Sequence, residues 1–339
     1  MRASELEALA AGVLGGERRA LARALTLVES TRADHREAAE RLLERLAGSG
    51  TESLRIAISG APGAGKSTLI ETLGRWATGR GHRVAVLTVD PSSTLSGGAI
   101  LGDKTRMSEL ARDPRAFIRP SAAGGSHGGV ARRTRESIRV CEAAGYDWVL
   151  VETVGVGQAE TAVAEMTDLF VLVLLPGGGD ELQGIKRGIV ELADLVVVNK
   201  ADGELAATAE RTALEYRSAL RLLRPRTPSW SVEVRACSAL TGTGIEAIGE
   251  TLERYRAALA ASGELAARRA EQARRWFRAE LAAALLEALR GRAGLASTLE
   301  ALEAAVAAGS MTPGAAVRAA LREAFTEAAG PGKEEGAER

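Results

Sequence analysis

The segment Gly60-Ala61-Pro62-Gly63-Ala64-Gly65-Lys66-Ser67-Thr68 carries residue types that hold phosphate, at the spacing G-x-x-x-x-G-K-[ST]. It follows the apolar run at 54–58 and leads into a helical pattern from Leu69 to Trp76. Glycines let the backbone wrap with its N–H groups pointing inward, and the following helix N-terminus adds a positive dipole end. Lys66 then reaches the β- and γ-phosphates, and the Ser67 hydroxyl sits on magnesium. A flexible Gly-rich turn is the bland alternative, and the strand–loop–helix context speaks against it.

Further candidate groups each follow an apolar run. Asp90 opens DPSSTLSGGAILGDKTRM, a loop unusually long for a strand-to-helix connection. Its carboxylate lies where it can hold a magnesium-bound water, and Asp103 and Lys104 can be drawn onto a bound triphosphate. A helix cap for Asp90 and a surface ion pair for Asp103–Lys104 remain open. Glu152 begins ETVGVGQAE, and an acidic residue followed by x-x-Gly matches an element that contacts magnesium and moves with the γ-phosphate. Gly155 would offer the sensing backbone N–H. Small GTPases place a water-positioning Gln directly after this glycine, whereas Val156 stands here, with Gln158 two positions on. Slow intrinsic hydrolysis is the expectation.

Asn199-Lys200-Ala201-Asp202 directly follows the run LVVV. Asp202 can accept from N1 and the exocyclic amine of guanine, a donor pair that adenine lacks. Asn199, the sole asparagine of the chain, braces the loop, and the stem of Lys200 can lie against the base. Ser238, Ala239 and Leu240 fit a segment whose backbone N–H meets guanine O6. These residues argue for GTP/GDP over ATP. PGGGDELQGIKRG, with Asp180, Glu181, Gln183 and Lys186, reads as an additional switch toward a partner, and a plain glycine turn with surface charges is its alternative.

Composition narrows the classes. The 339 residues are 46% hydrophobic, 26% charged and formally neutral, so no global charge favours nucleic acid or an anionic membrane. Only five of the 44 basic residues are lysines, and four of those, Lys66, Lys104, Lys186 and Lys200, fall in the segments above. No apolar run approaches the ~18 residues of a membrane span, and the first residues lack a signal peptide's apolar core. Cys141 and Cys237 make no disulfide framework, which agrees with a cytoplasmic setting. His35, His82 and His127 show no metal-site spacing, and the scattered aromatics form no stacking platform for nucleic acid.

The elements that must position these groups are legible as patterns. Residues 54–59, 83–89, 115–119, 147–152, 168–175, 194–198 and 231–236 are short apolar runs of the kind buried on both faces of a parallel sheet. With helices between them they predict an α/β fold, a doubly wound and mostly parallel sheet flanked by helices. Ligands in such sheets bind beyond the carboxyl ends of the strands. Helical patterns flank this region. Residues 1–50 read as an N-terminal helical extension in which Ser4 caps the first helix, 51–260 as the nucleotide domain, and 261–330 as a C-terminal helical or dimerisation region. Thr312-Pro313 opens the last helix, and the apolar-free stretch 331–339 reads as a disordered tail.

With these residues in place the chain resembles the methylmalonyl-CoA mutase-associated GTPases, the MeaB/MMAA family, formerly labelled ArgK or LAO/AO transport kinases. The resemblance spans residues 17 to 325. It rests on GAPGAGKST, VDPSSTLSGGAILGDKTRM, GGVARRTRE, VETVGVGQAE, LPGGGDELQGIKRG and NKAD, in that order. It implies a P-loop GTPase of the class shared with signal-recognition and nickel-chaperone GTPases. It also implies a homodimer that binds an adenosylcobalamin-dependent acyl-CoA mutase and gates loading, protection or reactivation of its cofactor. Carried over, Ser67, Asp90, Asp103 and Glu152 form the Mg2+ and γ-phosphate shell, Asn199, Lys200 and Asp202 hold guanine, and the loop around Asp180, Glu181 and Lys186 organises with the mutase. Two rivals are a GTP-dependent protein kinase of a transport system and a nickel-delivery GTPase, the latter wanting clustered Cys and His. A non-enzymatic GTP sensor is a third.

Overall fold

The computed structural model of the chain describes residues 1–89, 107–121, 127–153, 159–177, 187–222, 226–292 and 295–326. Asp90, Asp103, Lys104, Gly155, Val156, Gln158, Asp180, Glu181, Gln183, Lys186 and the tail 331–339 lie outside the described residues. Contacts divide the chain after Arg269 into two compact units.

The first unit opens with three helices, α1 (Ala3–Leu14), α2 (Arg18–Glu29) and α3 (Ala33–Leu46). Helix α1 starts one residue ahead of Ser4, so Ser4 is inside the first turn and caps nothing. The Arg2 backbone N–H instead donates to the Glu5 carboxylate at 3.2 Å. Then come β1 (Leu54–Gly60), α4 (Lys66–Gly79), β2 (Val84–Val89), β3 (Ala116–Ser121), α5 (His127–Ala143), β4 (Trp148–Thr153) and α6 (Ala159–Ala164). They are followed by β5 (Leu169–Leu174), α7 (Arg187–Val190), β6 (Leu195–Val198), α8 (Ala206–Leu220), β7 (Glu233–Ala236) and α9 (Ile245–Ser262).

All seven predicted strands form one sheet, in the order β3-β2-β4-β1-β5-β6-β7, and every pairing is parallel. β1, β2, β4, β5 and β6 are buried at each position, as strands covered by helices on both faces must be. From β1 the chain runs through β2 to β3 on one side, returns in β4 beside β1 and then crosses to β5 on the other, which makes the carboxyl end beside β1 the place where such sheets bind ligands. The core behind that end includes Ile56, Ile58, Leu69, Ile70, Leu150, Val171 and Val197.

The opposite, amino-terminal end of the sheet is held by buried ion pairs. Arg55 donates to Glu142 from Nε at 2.7 Å and from Nη2 at 3.0 Å, and the Ser53 hydroxyl donates to the same carboxylate at 2.5 Å. Asp168, fully buried, accepts from the Arg55 backbone N–H at 2.9 Å and from Arg269 Nε and Nη2 at 2.9 and 2.6 Å. At the two outer strands alternate carbonyls face away from the sheet. Arg18 of α2 donates to the Ala116 carbonyl of β3 at 2.6 Å, and Arg217 of α8 donates to the Val234 carbonyl of β7 at 3.0 Å.

Helix α10 (Glu264–Arg290) leads into the second unit, where α11 (Leu295–Ala307) packs on α12 (Pro313–Thr326). Thr312 caps α12, accepting at Oγ1 from the Ala315 N–H at 3.3 Å with Pro313 as first helical residue. Thr298 Oγ1 donates to Glu323 at 2.8 Å across the α11–α12 pair. Phe277, Leu285, Val317 and Phe325 of this unit are exposed.

Candidate active site

Strand β1 delivers the chain to the carboxyl edge and must release it abruptly. At Gly60 (φ 152°) an added Cβ would stand 2.1 Å from the Val173 carbonyl oxygen of β5, so only glycine lets the two backbones approach this closely. Gly65 precedes α4 in the left-handed region at φ 84°, where a Cβ would meet Asn199 Nδ2 at 2.5 Å. Between them Pro62 and Gly63 are exposed while Ala64 is buried, so the loop rests on its second half. The first turn of α4, with Lys66, Ser67 and Thr68, thus directs its unbonded N–H groups at the space over the loop.

Lys66 is 7% exposed and donates to the Gly60 and Ala61 carbonyls at 2.8 and 3.1 Å. Burial pushes its ammonium below the ordinary lysine range, while the Glu152 and Glu160 carboxylates pull it back toward the charged form. The Ser67 hydroxyl donates to Glu152 Oε1 at 2.8 Å. Glu152 reaches it because β4 lies beside β1, with Glu152 in register with Ile58. One residue on, the Thr153 hydroxyl donates to Ser59 at 2.9 Å and fixes the two strand ends together.

The second loop group stands at the carboxyl ends of β6 and β7. Asn199 is buried and serves both groups: its Nδ2 donates to the Ala64 carbonyl at 2.9 Å and its Oδ1 accepts from the Ala239 N–H at 3.0 Å. Lys200 is exposed and holds φ 61°, the only non-glycine residue in the left-handed region among those described. A residue with a side chain is uncommon there and reflects a backbone held by its surroundings. The Ala201 N–H donates to the Cys237 carbonyl at 2.9 Å, and the Ser238 hydroxyl donates to the Asp202 carboxylate in a short contact. Within 238–240 the Ser238 N–H is taken by the Thr243 carbonyl at 3.0 Å and the Ala239 N–H by Asn199. The Leu240 N–H has no hydrogen bond among the described residues, and its side chain is 81% exposed at the rim.

Of the residues singled out from sequence, the structure thus brings together Gly60–Thr68, Glu152, Asn199–Asp202 and Ser238–Leu240. Sequence reasoning misses two more. Thr72 Oγ1 donates to the Ala239 carbonyl at 2.8 Å and so anchors the second loop to α4, and nothing in its local pattern marks it. Glu160 lies inside the run VETVGVGQAE, where the pattern assigns it no role, although its carboxylate acts on Lys66. A separate groove of about 620 Å3, lined by Arg217, Arg221 and Arg226 among others, shares no residue with this site.

A glycine-lined loop with its lysine, a hydroxyl–carboxylate pair beside it and a second loop tied to the first form one connected site at the carboxyl edge of the sheet. The family model described as "Methylmalonyl Co-A mutase-associated GTPase MeaB" matches residues 21–293. The chain belongs to the MeaB family. It is a P-loop GTPase that binds guanine nucleotide. Among its relatives, a Caulobacter vibrioides protein named as a GTPase is 52% identical, over 93% of this chain and 96% of that one. The mouse mitochondrial "Methylmalonic aciduria type A homolog" is 47% identical, over 94% and 79%. A solved structure of a protein described as an LAO/AO transport system kinase superposes with a TM-score of 0.76 at 35% identity, over 96% of this chain and 99% of that one. No described helix is long and apolar enough to cross a membrane.

Proposed function

We propose that this GTPase is a nucleotide-governed chaperone of an adenosylcobalamin-dependent acyl-CoA mutase, gating the loading, protection or reactivation of its cofactor. The observation that carries this reading is the MeaB match over residues 21–293, whose description names association with methylmalonyl-CoA mutase. Lys66 and the N–H groups of 60–68 hold the phosphates. Asp202 accepts from N1 and the exocyclic amine of guanine, and the Leu240 N–H donates to O6. The oxygen donors Ser67 Oγ and Glu152 Oε1, 2.8 Å apart, suit a hard divalent cation, and Asp90 and Asp103 complete the set. Magnesium bound there neutralises charge on the β- and γ-phosphates. Asp180, Glu181, Gln183 and Lys186 form the switch that meets the mutase, the helices after residue 260 serve a homodimer, and the setting is cytoplasmic.

Capture of co-purifying protein from the source cell, with and without a non-hydrolysable GTP analogue, tests the partner. An adenosylcobalamin mutase retained in a nucleotide-dependent way is expected, and its absence under both conditions refutes the reading. The similarity to a protein described as a transport system kinase raises phosphoryl transfer to protein as a second outcome. GTP radiolabelled at its γ-phosphate would reveal it, as label on protein rather than in free phosphate. Guanine recognition is tested by Asp202→Asn, which is expected to shift preference toward xanthine nucleotides. Intrinsic turnover is slow because Val156 cannot orient water, and a rate of several per second for the chain alone would contradict this.

A further inference from the structure

The turn after β7 commits its backbone donors with one exception. The N–H groups of Ser238, Ala239, Thr241 and Gly242 go to the Thr243 carbonyl at 3.0 Å, Asn199 Oδ1 at 3.0 Å, Ser238 Oγ at 3.2 Å and the Ser238 carbonyl at 2.9 Å. The Leu240 N–H between them has no hydrogen bond among the described residues. The other half of its peptide is held. The Ala239 carbonyl, on a residue 3% exposed, accepts from Thr72 Oγ1 of α4 at 2.8 Å, its only hydrogen bond among the described residues. Thr72 Oγ1 has a second acceptor in the Thr68 carbonyl at 3.0 Å, but the Thr72 N–H of the helix already serves that group. The hydroxyl proton is therefore best used on Ala239, whose buried carbonyl would otherwise stay unsatisfied. A peptide unit is planar and trans, so a carbonyl drawn toward α4 turns the N–H of the same unit to the opposite side.

We propose that Thr72 is a positioning residue for guanine recognition: by holding the Ala239 carbonyl against α4 it aims the Leu240 N–H at O6 of the base. It acts through one peptide plane rather than by touching the nucleotide. This rests on the reading that the Leu240 N–H donates to O6. The Ser238 hydroxyl ties Asp202 to the same turn, so Thr72 fixes one part of the base contact and Ser238 the other. Held in this way, the N–H meets an amine rather than an acceptor when adenine is offered, and that mismatch is a source of specificity.

The test is the affinity of the full chain for GDP and for 6-thio-GDP, which puts weakly accepting sulfur in place of O6 and keeps N1–H and the exocyclic amine. Wild type is expected to favour GDP by about threefold to tenfold, the worth of one hydrogen bond. Thr72→Val removes the hydroxyl at nearly constant shape, and Thr72→Ala does so with a better helix former. In both, GDP affinity should fall by about that factor while 6-thio-GDP binds nearly as before, so the preference disappears. Thr72→Ser keeps the hydroxyl and should restore it. A preference that survives in T72V and T72A overturns the proposal, whether affinity is unchanged or falls equally for both nucleotides; equal losses would make Thr72 a structural tie and no more. A wild type that binds the two nucleotides equally refutes the O6 contact itself, and the proposal with it.

Discussion

Asn199→Ala cuts a side chain that joins the loop after β1 to the segment after β7. Two buried partners lose their hydrogen bonds at once, the Ala64 carbonyl at 2.9 Å and the Ala239 N–H at 3.0 Å. Each is a backbone group of a buried residue, and an unsatisfied buried group of this kind costs about 1–3 kcal/mol. The long contact from Cys237 Sγ to Asn199 Oδ1, 3.6 Å, adds little. The expected loss in unfolding free energy is therefore about 2–6 kcal/mol, read from urea titrations of wild type and variant. Binding suffers as well, because about 1.4 kcal/mol of that loss expressed in the nucleotide complex weakens it tenfold. GTP and GDP should be affected alike, since the tie concerns loop placement rather than the γ-phosphate. Asn199→Asp is a useful companion: it keeps the acceptor for Ala239 but turns a carboxylate oxygen toward the Ala64 carbonyl, so it should bind no better than N199A. A loss below about 1 kcal/mol in N199A, with nucleotide affinity intact, would mean that the two loops hold their positions independently and that the reasoning fails.

Arg269→Ala leaves the Asp168 carboxylate buried without its two-pronged partner and should cost about 3–5 kcal/mol in urea unfolding; a change under about 1 kcal/mol would show that the Arg55 N–H alone satisfies it. Burial pushes Glu142 up, but hydrogen bonding and charge from Arg55, with help from Ser53 and Arg269, hold it below its ordinary 4.5. A depressed folded-state pKa stabilises the fold above the unfolded value, and that stability is lost as pH falls through the folded one. Unfolding free energy should accordingly drop below about pH 4.5, and Glu142→Gln should flatten that limb; an identical slope in E142Q would contradict it. Burial pushes the Cys237 thiol up to about 12 and drives Cys141 higher still, so neither should react with a thiol reagent at neutral pH until the chain unfolds.

The sheet was legible because its strands are nearly uninterrupted apolar runs bounded by polar residues, and all seven lie within two residues of their expected ends. The exceptions are instructive. Residues 231 and 232 read as strand but lie ahead of β7, whose pairing with β6 begins only at Glu233 opposite Leu195. Ser4 reads as a cap because serine favours that position, yet Arg2 and Glu5 form the start of the helix one residue earlier. The phosphate loop was legible as a motif, since its spacing is local. What joins it to the loops after β6 and β7 was not: Asn199 meets Ala64 and Ala239 from far along the chain, and Thr72 reaches Ala239 from a helix face that carries no distinguishing pattern. Glu160 reads only as one more acid, because its burial is not something a string of residues displays.

The arginines on the outer strands bear on how this chain behaves in a crowded solution. An open sheet offers a row of unpaired carbonyl and N–H groups at each border, and such borders recruit strands from other molecules. Here Arg18 of α2 occupies the Ala116 carbonyl at one border and Arg217 of α8 the Val234 carbonyl at the other. A foreign strand must first displace a charged donor at either border. The first helices are thereby guards of the sheet as much as an appendage to it. Removing residues 1–50 should leave a chain that aggregates through β3, even where the nucleotide loops are untouched.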